Sequence, residues 1–338
     1  MFKITKRHGL FMMNNFDYYG ANPYFADKQR EKKEIKVIGR TAGLCIIAFV
    51  ILEQIVTLPF FIPSIRELYT NNGVFGSSVD IILSTVCVLV PFAIGGAYLG
   101  KRTGADIAPL EKPYSVPAAV LLVFAGMAVC IAGDYAATFT INIFDTFGFK
   151  LSLPDTEAPD SIWGRAVYVI SVAFVAPLCE EYAIRGCIMQ PLRKYGDIFA
   201  IVSSSVVFAV LHGNIIQLPF AFIAGLGMGY AVCATGSVWT SVFIHFLNNL
   251  FSCVTFFAQA DLAPEDYVNF YYAVQVSLAV MGVLCAIGYC FISTKRRLNK
   301  PVTLTQTGEK AAAFYLNVPM IIAIITMLLM STLYISRA

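Results

Sequence analysis

Residues 178–185 have the sequence LCEEYAIR, which places two adjacent carboxylates and an arginine inside an apolar run from Arg165 to Leu192. The run is long enough to cross a membrane, because about 20 apolar residues span a ~30 Å hydrocarbon core. An ionisable side chain inside a bilayer costs roughly 2.5–3.5 kcal/mol on insertion scales, so such side chains usually face the protein interior and serve a function. The stretch therefore predicts a membrane helix that carries a candidate site.

The spacing of the three charged residues separates their roles. Glu181 and Arg185 stand at positions i and i+4 of one helix face, with the acid on the N-terminal side, which is the better order for an ion pair. Glu180 is turned about 100° away, since a helix has about 3.6 residues per turn. We expect the arginine to neutralise Glu181 while Glu180 points elsewhere. The alternative interpretation is a purely structural ion pair near a helix end.

The composition indicates the fold class. Of 338 residues, 58% are hydrophobic and 13% are charged, which is more apolar side chain than a soluble domain can bury. We predict an all-α polytopic membrane protein with about nine transmembrane helices. The apolar runs that predict them are 41–63, 79–99, 116–144, 165–191, 198–212, 215–234, 237–258, 268–293 and 314–335.

Positive charge predicts the orientation. If the N-terminus is cytoplasmic, nineteen of the 24 Lys and Arg residues fall on the cytoplasmic side, as the positive-inside rule requires. We therefore expect a basic cytoplasmic N-terminal arm at residues 1–40, too charged for a secretory signal peptide. A transmembrane helical domain follows at 41–338, with a motif core at about 165–258. The net charge of +3 reflects topology, and no nucleic-acid partner is expected.

Two of the chain's three histidines lie in apolar runs, at His212 and His245. Glu180 and His212 each lie sixteen residues from Gly196, so an antiparallel hairpin brings them to similar depth. His245 shares a helix face with Asn249, four residues later. By the same count His245 lies nearer the cytoplasm than Glu180, and we expect Met189–Gly196 to lie along the membrane interface to compensate.

A further buried acid, Asp134, follows Gly133 inside the third run. Its first interpretation is a hydrogen bond between helices, and its second is a catalytic or transport role. The small residues Ala221, Gly225 and Gly229 form one face of the sixth predicted helix and predict a close approach by a neighbouring helix.

The polar groups of these helices are the parts of a hydrolytic centre. Glu180 is a candidate general base, and an imidazole beside it can share the water. A second imidazole with a carboxamide can donate to the oxyanion of a tetrahedral intermediate. No serine or cysteine sits in a nucleophile elbow, so activated water is the expected attacker. Each histidine alone is more often a structural hydrogen bonder.

The motifs EExxxR at 180–185, FxxxH at 208–212 and HxxxN at 245–249, in that order on three helices, resemble those of the CAAX prenyl endopeptidase and bacteriocin-processing family of intramembrane glutamate-type proteases. The resemblance implies an eight-helix core and a metal-independent endopeptidase in a bacterial cell membrane. It implies that Glu180 and His212 activate water, that His245 and Asn249 form an oxyanion hole, and that Glu181 and Arg185 support them. The implied partners are the lipid bilayer and a peptide or protein substrate reached from the membrane, including processed or bacteriocin-like peptides.

Three alternatives remain open. The chain can be a non-catalytic immunity or binding protein that keeps the motif residues for structure. It can be a proton-coupled transporter that uses Glu180 and the histidines as a relay, although no inverted repeat is evident. Finally, no cofactor is expected, but Glu180, His212 and His245 could bind zinc with water in the fourth position.

Overall fold

The computed structural model describes residues 23–153, 157–292 and 297–337. The first part of the predicted basic arm, residues 1–22, lies outside the described residues, as do Lys295 and Arg296. Eleven helices are numbered in chain order: α1 Pro23–Thr57, α2 Pro63–Asn71, α3 Gly73–Thr103, α4 Val116–Thr146, α5 Ile162–Tyr195, α6 Asp197–Leu211, α7 Gln217–Thr235, α8 Val238–Asp261, α9 Pro264–Cys290, α10 Thr307–Tyr315 and α11 Val318–Ser331. Two short strands, β1 Phe149–Leu151 and β2 Ile335–Arg337, pair antiparallel.

The chain is an all-α polytopic integral membrane protein, as its composition predicts, but with fewer spans. Within the described residues, seven helices are long and apolar enough to cross a membrane: α1, α3, α4, α5, α7, α8 and α9. Helices α10 and α11 bend by 75° at their junction and make an eighth span if they cross together. Helix α6 has 15 residues, too few for a ~30 Å core. The predicted count of about nine therefore becomes seven or eight.

Local sequence sets the helix ends. The Ser115 side chain accepts a hydrogen bond from the amide of Ala118 at the start of α4, and Asn72 does the same for Phe75 at the start of α3. Such caps satisfy amides that have no partner within the helix. Gly104 and Gly236 end α3 and α7 with φ of 69° and 74°, a left-handed conformation that only glycine adopts without cost.

Prolines widen two of the long helices. Helix α3 is π-helical over Leu83–Leu89, and α5 over Ile170–Val175 and Tyr182–Met189. Each of these π-helical segments contains the residue four positions before a proline, namely Pro91, Pro177 or Pro191. A proline lacks the amide hydrogen and its ring clashes with the carbonyl at i−4, so the preceding turn opens. Such wide turns often accompany functional sites.

Helix α5 also differs from expectation near its end. Met189–Gly196, predicted to lie along the interface, instead continues α5 as far as Tyr195, with Met189 and Leu192 buried. Residues 23–40 of the predicted arm likewise belong to α1, which runs without a break into the first span.

Close packing positions the hairpin of α6 and α7 beside α5. A Cβ placed on Gly225 would lie 3.0 Å from the Cβ of Ser205, and one on Gly229 would lie 3.2 Å from Ile201. The predicted small-residue face of α7 therefore contacts α6 directly. Helix α4 packs against α7, α8 and α9, so the motif helices α5, α6 and α8 are held on several sides.

Candidate active site

The buried centre of the site is an ion pair on α5. Glu181 Oε1 lies 3.2 Å from Arg185 Nη1, and both side chains are fully buried. The guanidinium carbon of Arg185 lies 4.5 Å above the centre of the Phe208 ring, and its Nη2 donates to the carbonyl of Gly225 at 3.4 Å. A charge removed from solvent needs such partners, because the cost of desolvation is several kcal/mol for each ion. The pair therefore ties α5 to α6 and α7.

His245 lies between the two adjacent carboxylates. Its Nδ1 is 3.0 Å from Glu181 Oε1, and its Nε2 is 3.9 Å from Glu180 Oε2. A carboxylate accepts hydrogen bonds, so the Nδ1 atom carries the hydrogen and donates it to Glu181. This contact orients the ring, as the acid of a catalytic dyad does, and directs Nε2 toward Glu180.

Glu180 takes a different position from its neighbour. Its side chain is 23% exposed, whereas that of Glu181 is 0% exposed. Glu180 lines a cavity of about 600 Å³ together with His212, His245 and Asn249. The structure thus brings all four predicted catalytic residues to one cavity. Glu181 and Arg185 lie behind it and do not line it, which matches a supporting position.

His212 follows the last residue of α6, and its ring is fixed by its own helix. Nδ1 lies 2.8 Å from the carbonyl oxygen of Phe208, so Nδ1 is the protonated nitrogen and Nε2 is left to accept in the neutral ring. Within the described residues, Glu180 contacts the imidazole of His245 and makes no direct contact with His212. The expected similar depth of Glu180 and His212 brings them to the same cavity but not into hydrogen-bond contact.

Asn249 connects α8 to the widened part of α5. Its Nδ2 donates to the carbonyl of Val172 at 2.8 Å, and this carbonyl belongs to the π-helical segment Ile170–Val175. The Asn249 Oδ1 accepts from Asn248 at 3.2 Å. One amide hydrogen of Asn249 is therefore committed to holding α5, and the other is available to the cavity.

Two further acids line the same cavity. Asp134 is one of them, so its side chain borders the cavity and does not serve a contact between two helices alone. Asp80 is the other and accepts a hydrogen bond from the hydroxyl of Tyr69 at 2.9 Å. Asp80 was not among the residues predicted from the sequence, although an acid inside the apolar run 79–99 was a signal for it.

The candidate zinc ligands do not fit a metal site. In the part of the chain that the structure describes, no three His, Cys, Asp or Glu side chains are grouped so that they could hold a metal ion. His245 uses Nδ1 for Glu181 and His212 uses Nδ1 for Phe208, which leaves Nε2 of each ring as its one possible ligand atom. It is the placement of the three described side chains that does not suit a metal group. The set of Glu180, His212 and His245 therefore lines a cavity without forming a ligand group.

Known proteins resemble the motif region. Residues 162–251 match the family model "Type II CAAX prenyl endopeptidase Rce1-like". The chain is 28% identical over 128 residues to the membrane peptidase YdiL of Bacillus subtilis (strain 168), covering 36% of this chain and 52% of that protein. It is 28% identical over 148 residues to the membrane-embedded CAAX protease MroQ of Staphylococcus aureus (strain USA300), covering 41% of this chain and 58% of that protein. No solved structure matches significantly.

The chain spans little more than half the length of these relatives. Residues 162–251, which match the family model, contain all three motifs of the candidate site. The resemblance that the motifs predicted is confirmed over this region, which is similar to the Rce1-like domain of type II CAAX prenyl endopeptidases.

Proposed function

We propose that this protein is an intramembrane endopeptidase in which Glu180 activates the water that hydrolyses a peptide bond. The observation that carries the proposal is the cavity lined by Glu180, His212, His245 and Asn249. The names of the two relatives, a membrane peptidase and a CAAX protease, support peptide hydrolysis. The proposed substrate is a peptide or protein segment that reaches the cavity from a bacterial cell membrane, with the N-terminus of the enzyme in the cytoplasm.

Glu180 is the proposed general base. The 3.9 Å between its Oε2 and Nε2 of His245 is too long for a direct hydrogen bond. The Glu180 side chain is 23% exposed and lines the cavity, so its carboxylate can accept a hydrogen bond from a water there. Glu180 takes a proton as the water oxygen attacks the carbonyl carbon, and this proton passes to the amide nitrogen as the C–N bond breaks.

His212 is the proposed second acceptor for the attacking water. Its Nδ1 is occupied by the carbonyl of Phe208, and its ring lines the cavity. The neutral ring therefore offers Nε2 as an acceptor, which helps to orient the water before Glu180 takes the proton.

His245 and Asn249 are the proposed donors to the oxyanion. A preorganised donor of this kind contributes about 3–4 kcal/mol at best. Asn249 retains one amide hydrogen, because the other is donated to Val172. His245 already donates from Nδ1 to Glu181, so donation from Nε2 requires a ring that carries both hydrogens. Glu181 lies close enough to the His245 ring to form an ion pair with it when both nitrogens carry hydrogens.

A carboxylate mechanism is proposed over a zinc mechanism. Glu180, His212 and His245 are not grouped as metal ligands within the described residues. The proposed reaction has no step that involves a metal ion.

The experiment uses the full chain in proteoliposomes with a library of lipidated and unlipidated peptides, and detects products by mass spectrometry. Glu180→Gln should release no product above background, whereas Glu67→Gln, a change of the same kind at an exposed position, should cleave like the wild type. Cleavage by Glu180→Gln at the wild-type rate would remove Glu180 as the base. A wild type that cleaves no peptide of the library would favour a binding or immunity protein.

A further inference from the structure

A groove on the outer surface of the bundle lies between α1 and α3, away from the candidate active site. Its volume is about 520 Å³. The helices touch at its floor, where Gly95 has no side chain and a Cβ would lie 2.5 Å from the Sγ of Cys45. Leu44 and Ile94 form the rims and are 56% and 69% exposed. The groove is therefore apolar and opens toward the surrounding lipid.

One end of the groove is basic. Arg40 and Tyr98 line it at the end where α1 begins and α3 finishes. Lys36 and Lys33 lie one and two turns before Arg40 on the same exposed face of α1, and Lys101 lies one turn after Tyr98. These positions place cations and an aromatic ring where helices meet the membrane surface, as interfacial residues commonly do.

These cations have no acidic partner among the residues that the structure describes. Within the described ranges, no carboxylate forms an ion pair with Arg40, Lys36 or Lys101. Other basic residues of the same region are paired, since Lys28 and Lys32 contact Glu309. The groove therefore presents an uncompensated positive charge at its end, with Arg40 as its nearest source.

The length of the groove matches one leaflet. Arg40 and Ala48, which both line it, are eight residues apart on α1, about 12 Å at 1.5 Å rise per residue. Half of a ~30 Å hydrocarbon core is about 15 Å. With the headgroup at Arg40, the groove therefore takes an acyl chain over most of one leaflet.

We propose that the groove between α1 and α3 binds an anionic phospholipid, with an acyl chain along Leu44, Ala48 and Ile94 and the phosphate at Arg40. A guanidinium presents paired donors to phosphate oxygens. Basic pockets between membrane helices bind acidic headgroups by the same chemistry. This site is independent of peptide hydrolysis, because none of its lining residues lines the Glu180 cavity.

The test introduces a photo-crosslinking amino acid in place of Leu44 and reconstitutes the full chain in vesicles of one part phosphatidylglycerol to four parts phosphatidylcholine. Mass spectrometry of the crosslinked protein measures which lipid occupies the groove. We expect the ratio of phosphatidylglycerol to phosphatidylcholine in the groove to exceed the bulk ratio about fivefold, since one basic residue near the surface contributes about 1 kcal/mol. Arg40→Gln should remove most of this enrichment.

Two further variants make the result decisive. Lys112→Gln removes an exposed cation outside the groove and should leave the enrichment unchanged. Ala48→Trp fills the groove and should reduce crosslinking to both lipids. Equal enrichment in Arg40→Gln and Lys112→Gln, no enrichment in the wild type, or crosslinking to a protein chain in place of lipid would each overturn the proposal.

Discussion

Glu180 and Glu181 are neighbours in sequence with opposite surroundings. Glu181 is fully buried, pairs with Arg185 and holds Nδ1 of His245. Glu180 faces a cavity of about 600 Å³ and has a buried oxygen without a hydrogen-bond partner among the described residues. The turn of about 100° between successive helical residues is enough to separate a buried, paired carboxylate from one that faces the cavity. We expect variants on the two sides to fail in different ways.

The largest expected effect on the cavity side, apart from Glu180 itself, is at His212. His212→Ala should lower kcat by up to about 10⁴-fold, the upper range for a positioned acid–base group, because the water loses one of its two acceptors. Steady-state kinetics in detergent should show this loss at an unchanged melting temperature. A variant that keeps wild-type turnover would place His212 outside the reaction.

On the buried side we expect a loss of stability. Arg185→Ala leaves the buried carboxylate of Glu181 without its cation, and breaking a buried pair typically costs about 3–5 kcal/mol. The double variant Glu181→Ala/Arg185→Ala should recover part of this loss. Thermal melts of purified protein measure both changes.

A matched control is available at the surface. Arg165 pairs with Asp261, and both side chains are partly exposed. Arg165→Ala should leave the melting temperature almost unchanged, because exposed pairs contribute little to stability. If Arg185→Ala melts like Arg165→Ala, the pair on α5 does not contribute as a buried ion pair.

Asn249→Ala should have a smaller effect, and this effect should include both turnover and stability. As an oxyanion donor, it should lose about 10²–10³-fold in kcat on change to alanine, with little change in KM. Its second hydrogen bond holds the Val172 carbonyl of α5, so a modest drop in melting temperature should accompany the loss. A change confined to KM would assign Asn249 to substrate binding.

The smallest expected effect is that of metal removal. A carboxylate mechanism should keep its rate in the presence of chelator, whereas a zinc enzyme should lose activity and regain it with added Zn²⁺, because the metal acidifies the bound water. Elemental analysis of the stripped protein is the control. Activity that follows zinc content would make Glu180, His212 and His245 ligands.

The sequence predicted most of the fold and the members of the site, because both depend on local patterns. Apolar runs fix the helices, and i,i+4 spacing correctly placed Glu181 beside Arg185. It overestimated the number of spans because it counted the 15-residue run of α6, which is too short to cross a membrane, and because the 75° bend between α10 and α11 depends on packing. Nothing in the chain's spacing indicated that Asn249 would hold Val172 across 77 residues of sequence.

The relative depth of the site residues along their helices was the property least well predicted from the sequence. Counting residues placed Glu180 deeper than His245, yet the two side chains lie 3.9 Å apart. The segment Tyr182–Met189 is π-helical, and a wider turn advances less per residue. Glu180 therefore lies nearer the Tyr195 end of α5 than an α-helical count gives. Pro191, four residues after Cys187, was the signal for this widening.

The most direct test compares Glu180→Gln with Glu181→Gln, measuring turnover and melting temperature on the same preparations. These changes remove one charge each and keep nearly the same shape. We expect Glu180→Gln to lose about 10⁴-fold in kcat at a wild-type melting temperature, and Glu181→Gln to melt several degrees lower. Equal losses of turnover and stability in both variants would contradict the separation of a reactive from a structural carboxylate.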